Sequence, residues 1–349
     1  MADRSAIRLE PGPLGAITDV PGIEVGHHTH AEVLRGTTAV LCTGGATAGV
    51  SVRGSNPGTI QTDALAATAT GSLVHGIGLT GGSLHGLSAV TGITEWLHGQ
   101  GVGAPVFGGL IPIVPGAVIL DLRLSDPSVL PTAEWGHRAA AAARGGRFTR
   151  GNVGAGAGGT AGKGPGCVRT KGGLGTASLV LPGDIVVGAL VVVNALGGMV
   201  HPVTGRPYAT DGGFDVPLLY HQPDESPARP TPERDAAAMM SNTTLAVIAT
   251  NAALTKPQLI KVADLAHDGL ARAIRPAHAM GDGDTIFAIA PHEGQVSLPG
   301  TTGANLTDMI GAAAADAMVL AILDAARETT GVPGWPSVEE ARVAITATG

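Results

Sequence analysis

The strongest constraint on this chain is a junction. A long polar, proline-punctuated segment, centred on His221-Gln222-Pro223-Asp224-Glu225-Ser226-Pro227-Ala228-Arg229-Pro230, runs into Met240-Ser241-Asn242-Thr243-Thr244-Leu245-Ala246-Val247-Ile248-Ala249. From Thr244 onward the residues are β-branched and aliphatic, the pattern of a buried strand, so a hydroxyl residue stands at the strand's mouth. One reading is a strand that opens with two threonines, which β-propensity favours. The other is that the protein cuts its own Asn242–Thr243 bond, leaving Thr243 with a hydroxyl nucleophile and a free α-amine. Such an amine titrates near ~7.7 to 8.0 in model peptides, so at neutral pH it serves as a local base for the hydroxyl beside it. Residues 203–241 read as a flexible, solvated connector in which a break is tolerated.

The rest of the chain must supply a core around that strand. Only 3% of residues are aromatic against 44% hydrophobic, so the core is built from Ala, Val, Leu and Ile. Glycine, at 54 of 349 residues, is about twice its usual share of about 7%. It shows no collagen period and is threaded between apolar runs, which implies tight turns and close backbone approaches. The formal charge of -7 and the pI near 5.9 argue against nucleic acid or an anionic membrane as partner. No uninterrupted apolar run approaches the ~20 residues of a membrane span. Cys42 and Cys167 form neither a disulfide framework nor a zinc spacing, and the N-terminus lacks a signal-peptide core, so a reduced, cytoplasmic setting is expected.

Taken in order, residues 14–26 read as two short strands around a Pro-Gly turn, followed by a solvated loop with His27, His28 and His30. These histidines lack a carboxylate or cysteine at a ligand spacing. A strand over Thr37–Leu41 ends at Gly44-Gly45, and Gly54-Ser55-Asn56-Pro57-Gly58-Thr59 opens a turn-dense loop. After a strand over Val74–Leu79, Ser83 reads as the N-cap of a helix reaching about Leu97; it is no nucleophile elbow, because His85 stands where that motif needs glycine. Strands over Val106–Val114 and Ala117–Leu122 precede a helix from Thr132 to Gly145-Gly146. Leu179–Leu181 and Ile185–Val193 form a hairpin whose second strand is apolar on both faces. Thr255-Lys256-Pro257-Gln258 is a capping box, Thr285–Ala290 a buried strand and Asn305–Arg327 a last helix.

Polar residues stand out against this background. The loop Gly151–Gly164 matches G-x-G-x-x-G at positions 154, 156 and 159, but no strand leads into it and no helical pattern follows, so it is not a dinucleotide fingerprint. Lys163 is not a phosphate-loop lysine, since Gly164 stands where Ser or Thr must bind magnesium. It still puts a cation among backbone amides, unless it points at water. Asn194, at the edge of the apolar hairpin strand, is either a turn residue or a buried amide whose NH₂ can face a developing oxyanion. Asp282 and Asp284 are turn carboxylates that lack the further oxygen ligands of a calcium loop.

The motifs Ile17-Thr18-Asp19-Val20-Pro21-Gly22-Ile23, Gly54-Ser55-Asn56-Pro57-Gly58-Thr59, Leu79-Thr80-Gly81-Gly82-Ser83, Asn242-Thr243-Thr244 and Asp282-Gly283-Asp284-Thr285 run in order along nearly the whole chain. Together they resemble the family of N-terminal-nucleophile amidohydrolases that holds the DmpA-type β-aminopeptidases and the nylon-oligomer (aminohexanoate-oligomer) hydrolase. Threonine at the cut site is closer to the latter. The resemblance implies a single-domain α/β fold, a four-layer αββα sandwich. It also implies self-processing into an α chain of residues 1–242 and a β chain of residues 243–349, and a homotetramer of αβ pairs. By carry-over Thr243 is the nucleophile, Lys163 and Asn194 the catalytic lysine and asparagine, and Asp282 and Asp284 the acids behind the nucleophile. The expected chemistry is hydrolysis of an amide, in a peptide or an aminohexanoate-type oligomer, through an acyl-threonine and without metal or organic cofactor. Where the nylon hydrolase has tyrosine, this chain has Leu120 in Val118-Ile119-Leu120-Asp121, which removes a hydroxyl contact to the nucleophile or substrate. Two rivals are an acyltransferase of the ornithine acetyltransferase type, whose lysine-glycine motif is not apparent, and an unprocessed binding protein.

Overall fold

The computed structural model describes residues 9–164, 166–202, 205, 242–297, 301 and 303–348. Its apolar runs form the strands β1 (Glu24–Thr29), β2 (Gly36–Val52), β3 (Leu73–Thr80), β4 (Gly116–Val118), β5 (Leu174–Leu181), β6 (Ile185–Asn194), β7 (Thr243–Thr250) and β8 (Thr285–Pro291). The helices are α1 (Leu87–Gly99), α2 (Ala133–Ala141), α3 (Lys256–Ala273), α4 (Gly303–Glu328) and α5 (Val338–Thr348). A ten-stranded sheet runs from Glu10–Pro11 through β5, β6, β7, β8, β2, β3 and β4 to Thr59–Ile60, with β1 beside β2 as its tenth strand.

The path doubles back on itself at β2. Up to Leu41 this strand pairs with β1 and β3; from Ala46 it pairs with β8, keeping β3 only at Ala46 and Thr47 after a register shift between Leu41 and Ala46. Gly45, at φ 85°, lies in that irregular stretch, where an extra residue bends a strand and increases its twist. The bend turns one continuous path into two stacked sheet halves.

Alternation along the strands then sorts side chains into layers. Val191 and Val193 of β6 and Ala246 and Ile248 of β7 meet Leu259, Val262 and Ala266 of α3 and Ile322 and Ala325 of α4. Their neighbours Leu190, Val192, Leu245 and Val247 point the other way, joining Phe287 against Val25, Val40, Ile77 and Ile119 of the second half. Val90, Ile93 and Leu97 of α1 and Ala139 and Ala140 of α2 close the outer face over Ala39 and Leu41. Helix, sheet, sheet, helix is the four-layer αββα order in a single domain. The parallel pairing of β7 with β8 follows from the helix α3 between them in sequence, since parallel neighbours need a long crossover. That helix opens on the expected capping box at Thr255 and Gln258.

Several local expectations fail for identifiable reasons. Residues 14–16 form no strand; Asp19 draws the Leu14 and Ala16 N–H groups onto its carboxylate and a short 3₁₀ turn, Ile17–Asp19, follows. His27 and His28 belong to β1 rather than to a solvated loop. His27 packs against Phe148, and His28 and His30 against Trp135, with ring centroids 5.7, 5.3 and 5.0 Å apart. β2 runs on through Gly44-Gly45 instead of ending there. Ser83 caps nothing: it adopts φ 55° within a 3₁₀ turn, Ser83–Gly86, that precedes α1. The apolar run after residue 104 is a small hairpin, Ala104–Val106 with Gly109–Ile111, tipped by the fully exposed Phe107. α5 was not expected, its short amphipathic stretch following Gly331 being masked by Pro333 and Pro336. α4 is long and apolar enough to cross a membrane by length and composition, but 72% of that stretch is buried inside the fold. Of the connector expected over 203–241, only Gly205 falls within the described residues.

Among the described residues Phe287 is the one fully buried phenylalanine, and it lies in the layer between the sheet halves. Replacing it with alanine leaves a cavity that neither half can close, so Phe287→Ala is expected to lower unfolding free energy by about 3–5 kcal/mol. Urea titration checks this; a loss below 1 kcal/mol contradicts the assignment of this layer as close-packed core.

Candidate active site

The site forms where β6 ends and β7 and β8 begin. In the antiparallel pairing of β6 with β7, Asn194 is the register partner of Thr243. Directly opposed residues of an antiparallel pair project from the same face, so the terminal amide and the terminal hydroxyl of two neighbouring strands share one side of the sheet. Both residues are buried, Asn194 completely.

Around Asn194 the glycine-rich loop does what its composition requires. Gly159 and a second glycine, Gly172, flank the Val193 carbonyl so closely that a Cβ on either would come within 2.3 or 2.2 Å of its oxygen. This approach brings Thr160 and Lys163 onto the asparagine. Asn194 Oδ1 accepts hydrogen bonds from Lys163 Nζ at 2.8 Å and from the Thr160 N–H and hydroxyl at 3.2 Å each. Lys163 Nζ also donates to the Asn194 backbone carbonyl at 3.1 Å. With the oxygen of the amide occupied in this way, its nitrogen faces the other side, and Nδ2 donates to the Leu120 carbonyl at 3.1 Å. A cation on the oxygen polarises the amide and makes its N–H groups stronger donors. Thr160 was not singled out in sequence, because a threonine ending a glycine run carries no signal of its own.

Leu120 thus enters the site through its main chain. The next residue, Asp121, is buried against Arg35, and its Oδ1 accepts from Arg35 Nε at 2.9 Å and from the Gly82 N–H at 2.8 Å. That buried pair fixes the corner carrying the Leu120 carbonyl; removing one partner would strand the other charge.

On the other side of Thr243 lies the turn leading into β8. Asn242 and Asp282 form an isolated parallel bridge. The carbonyl oxygen of Asn242 accepts the Gly283 N–H at 2.9 Å and also the Thr243 hydroxyl. Gly283 has to be glycine here: a Cβ would stand 2.8 Å from Thr243 Oγ1 and 2.7 Å from the Asn56 carbonyl oxygen. The paired acids brace this turn. Asp282 accepts the Ala279 N–H at 2.7 Å and the Leu196 N–H at 3.3 Å. Asp284 Oδ1 accepts the Thr244 N–H at 2.6 Å, and its Oδ2 accepts from His278. The loop opened by Gly54 is tied to the same acids by main-chain bonds, Asn56 N–H to Asp282 and Gly54 N–H to Asp284 at 2.9 and 3.2 Å.

The electrostatics are those of a crowded, dry site. Burial lowers the Lys163 ammonium to about 7, with Arg123 and Lys171 adding to the effect and Asp282 opposing it. Burial, then the neighbouring charge of Asp284, raises Asp282 to about 6, against the pull of Lys163 and two backbone N–H groups. Acid and lysine thus have proton affinities within reach of neutral pH, the condition for proton exchange during a reaction. Among the described residues no group of three or more His, Cys, Asp or Glu is placed to hold a metal ion.

The structure therefore brings together the residues carried over from the resemblance: Thr243 with Asn194 by register, Lys163 on Asn194, Asp282 and Asp284 behind the Asn242–Thr243–Thr244 main chain, and Leu120 by its carbonyl; His27, His28, His30 and Ser83 lie elsewhere. What such a set can do is attack a carbonyl with a hydroxyl, hold the resulting oxyanion with N–H donors, and move protons near pH 7.

Comparison with known proteins identifies relatives of the chain. The model of the peptidase family S58 matches residues 15–337. An uncharacterized aminopeptidase of Mycobacterium tuberculosis is 39% identical over 345 residues, 94% of this chain and 98% of that protein. The 6-aminohexanoate-oligomer endohydrolase of Paenarthrobacter ureafaciens is 30% identical over 319 residues, 88% of this chain and 85% of that protein. Among solved structures, a β-aminopeptidase of Burkholderia sp. superposes with a TM-score of 0.69 at 25% identity, covering 98% of this chain and 96% of that one. The L-aminopeptidase D-Ala-esterase/amidase of Ochrobactrum anthropi, a variant of the N-terminal-nucleophile hydrolase fold, superposes with a TM-score of 0.72 at 22% identity, covering 97% and 95%.

The raised Asp282 has a consequence for stability. A carboxyl with a higher proton affinity in the folded than in the unfolded chain disfavours the fold once it must ionise, so the parent protein loses stability as pH rises from about 4 to about 6. Asp282→Asn cannot ionise. Its melting temperature relative to the parent is therefore expected to rise across that interval and to stay level outside it; a flat difference through pH 4–6 contradicts the placement of this carboxyl.

Proposed function

This chain belongs to peptidase family S58 and is a hydrolase of amide bonds, and we propose that it matures by cutting its own Asn242–Thr243 bond and then acts through Thr243 as an N-terminal nucleophile. The observation that carries the proposal is the convergence on one carbonyl: the oxygen of Asn242 accepts both the Thr243 hydroxyl and the Gly283 N–H. A hydroxyl next to the carbonyl it would attack, with a main-chain donor already on the oxygen that would become negative, is the arrangement of an acyl shift.

In the precursor, Thr243 Oγ1 adds to the Asn242 carbonyl carbon. The C–N bond breaks, the nitrogen takes a proton, and an ester links Asn242 to the threonine oxygen. Water hydrolyses that ester, releasing the Asn242 carboxylate and restoring the Thr243 hydroxyl beside the amine freed in the acyl shift. In the mature enzyme the α-amine takes the hydroxyl proton as Oγ1 attacks the substrate amide, and returns it to the leaving amine. Asn194 Nδ2, polarised by Lys163 on the opposite end of the same amide, donates to the substrate oxyanion. Lys163 also favours a neutral Thr243 amine through its charge, and Asp282 balances Lys163, while Asp284 holds the Thr244 N–H and with it the nucleophile's main chain. Water then cleaves the acyl-threonine, and both acyl and amine products leave with no net consumption of a cofactor.

For the substrate, peptides and aminohexanoate-type oligomers are the two classes favoured, from the kinship with an aminopeptidase of M. tuberculosis and with the aminohexanoate-oligomer endohydrolase. The threonine nucleophile and the loss of a tyrosine at Leu120 belong to this proposal as well.

Two measurements test it. Wild-type protein on a denaturing gel is expected as fragments 1–242 and 243–349, with Thr243→Ala remaining a single chain; a wild type that stays continuous overturns self-cleavage. Asn194→Ala is expected to lower kcat by about 10²–10³ on a peptide p-nitroanilide or an aminohexanoate oligomer, as for loss of one oxyanion donor. A loss below tenfold removes Asn194 from that role.

A further inference from the structure

His278 takes no part in the mechanism above and nothing in the sequence singled it out, yet its side chain holds Asp284, one of the two acids behind Thr243. Its residue adopts a left-handed φ of 56°, a conformation uncommon for non-glycine residues but enriched in asparagine, aspartate and histidine. In that conformation its backbone N–H and its ring Nδ1 converge on one oxygen: Asp284 Oδ2 accepts the first at 3.1 Å and the second at 2.8 Å. Nδ1 facing a carboxylate oxygen carries the proton. The opposite oxygen, Oδ1, accepts the Thr244 N–H at 2.6 Å. The carboxylate is thereby clamped between the imidazole and the peptide that follows the nucleophile.

The imidazole is itself held. His267, on α3, meets it edge to face with centroids 4.7 Å apart. The His267 ring is fixed by a hydrogen bond from Nε2 to the Ser51 carbonyl at 3.1 Å, and burial keeps it neutral by lowering it to about 4. It therefore presents a wall to His278 and not a competing charge. The main chain of the same turn is closed by Asp282, which accepts the Ala279 N–H while its own N–H donates to the Ala279 carbonyl. Gly283, whose N–H rests on the Asn242 carbonyl, lies between the two acids.

We propose that His278 is a positioning residue: through Nδ1–H on Asp284 it fixes the Thr243–Thr244 peptide, and with it the line of approach of the Thr243 hydroxyl in both self-cleavage and turnover. The inference rests on Thr243 being the nucleophile. A left-handed φ and a required donor at the δ position make a specific pattern of replacement. Asparagine tolerates the conformation and places an N–H donor where Nδ1 stands. Glutamine carries its amide one bond too far, and alanine carries no donor.

The test compares His278→Ala, His278→Gln and His278→Asn with wild type and with Thr243→Ala, following self-cleavage by denaturing gel and then kcat and KM on a p-nitroanilide that the wild type turns over. The expected result is that alanine and glutamine slow cleavage and lower kcat by about ten- to a hundredfold, as for loss of a hydrogen bond to a charged group, with KM within about twofold. His278→Asn is expected to recover most of both rates. Thermal unfolding of each variant separates this from a folding defect: a purely structural role moves melting temperature and active fraction together, leaving the kcat of the folded enzyme unchanged, and that outcome overturns the proposal. Wild-type rates in His278→Ala, or an Asn variant as slow as the Ala variant, overturn it equally. Should His278→Ala fail to fold, the difference between Asn and Gln decides. Failure of the underlying reading looks different, because wild type and Thr243→Ala would then both remain uncut whatever stands at position 278.

Discussion

One strand pairing underlies everything at this site. β6 ends and β7 begins opposite each other, so that Asn194 and Thr243 are paired, and an antiparallel register allows no half measures. A slip of one residue would turn the threonine hydroxyl into the helix-facing layer and put Asn242 or Thr244 opposite Asn194 in its place. The register is secured by burial on both faces: Val191, Val193, Ala246 and Ile248 pack against helices, while Leu190, Val192, Leu245 and Val247 pack against the opposing sheet half. The four-layer architecture is in this sense the device that holds an amide and a hydroxyl on one face of one sheet edge.

The polar groups around that pair are expensive to bury, and the fold offsets their cost with hydrogen bonds rather than with solvent. Asn194 has three donors on its oxygen and a carbonyl under its nitrogen. Asp282 and Asp284 are almost wholly buried and saturated by backbone N–H groups. Lys171 is enclosed completely and donates to the carbonyls of Gly156, Gly159 and Gly172, which ties together the glycine-rich loop that carries Thr160. A site assembled in this way is preorganised, its dipoles already oriented before any charge develops.

Much of this was legible in the sequence, and the reasons are physical. A strand apolar on both faces has to lie inside layers, so β6 and β7 declared the interior of the fold. A polar residue at the end of such a strand has to find partners, so Asn194 and Thr243 stood out as candidates, although each also read as an ordinary turn or strand residue and their roles came from family resemblance. The turn acids and Lys163 were visible as charges among glycines, but their roles came from family resemblance. What stayed hidden depends on tertiary contact. Thr160, His278 and Arg35 act through partners that are distant in sequence or through an unusual φ. The bend in β2 looked like a strand end, because Gly44-Gly45 is the same signal for a turn and for an irregular strand. His27, His28 and His30 looked solvated because nothing local announces Phe148 and Trp135.

The central claim is that Thr243 carries the acyl group. Its most direct test is to incubate the purified protein with a p-nitrophenyl ester, quench in acid during turnover, digest, and locate the acyl mass by peptide mapping. The account predicts the acyl group on the threonine oxygen of a peptide whose first residue is Thr243. An adduct on any other side chain, or on a peptide still continuous across Asn242–Thr243, would contradict it.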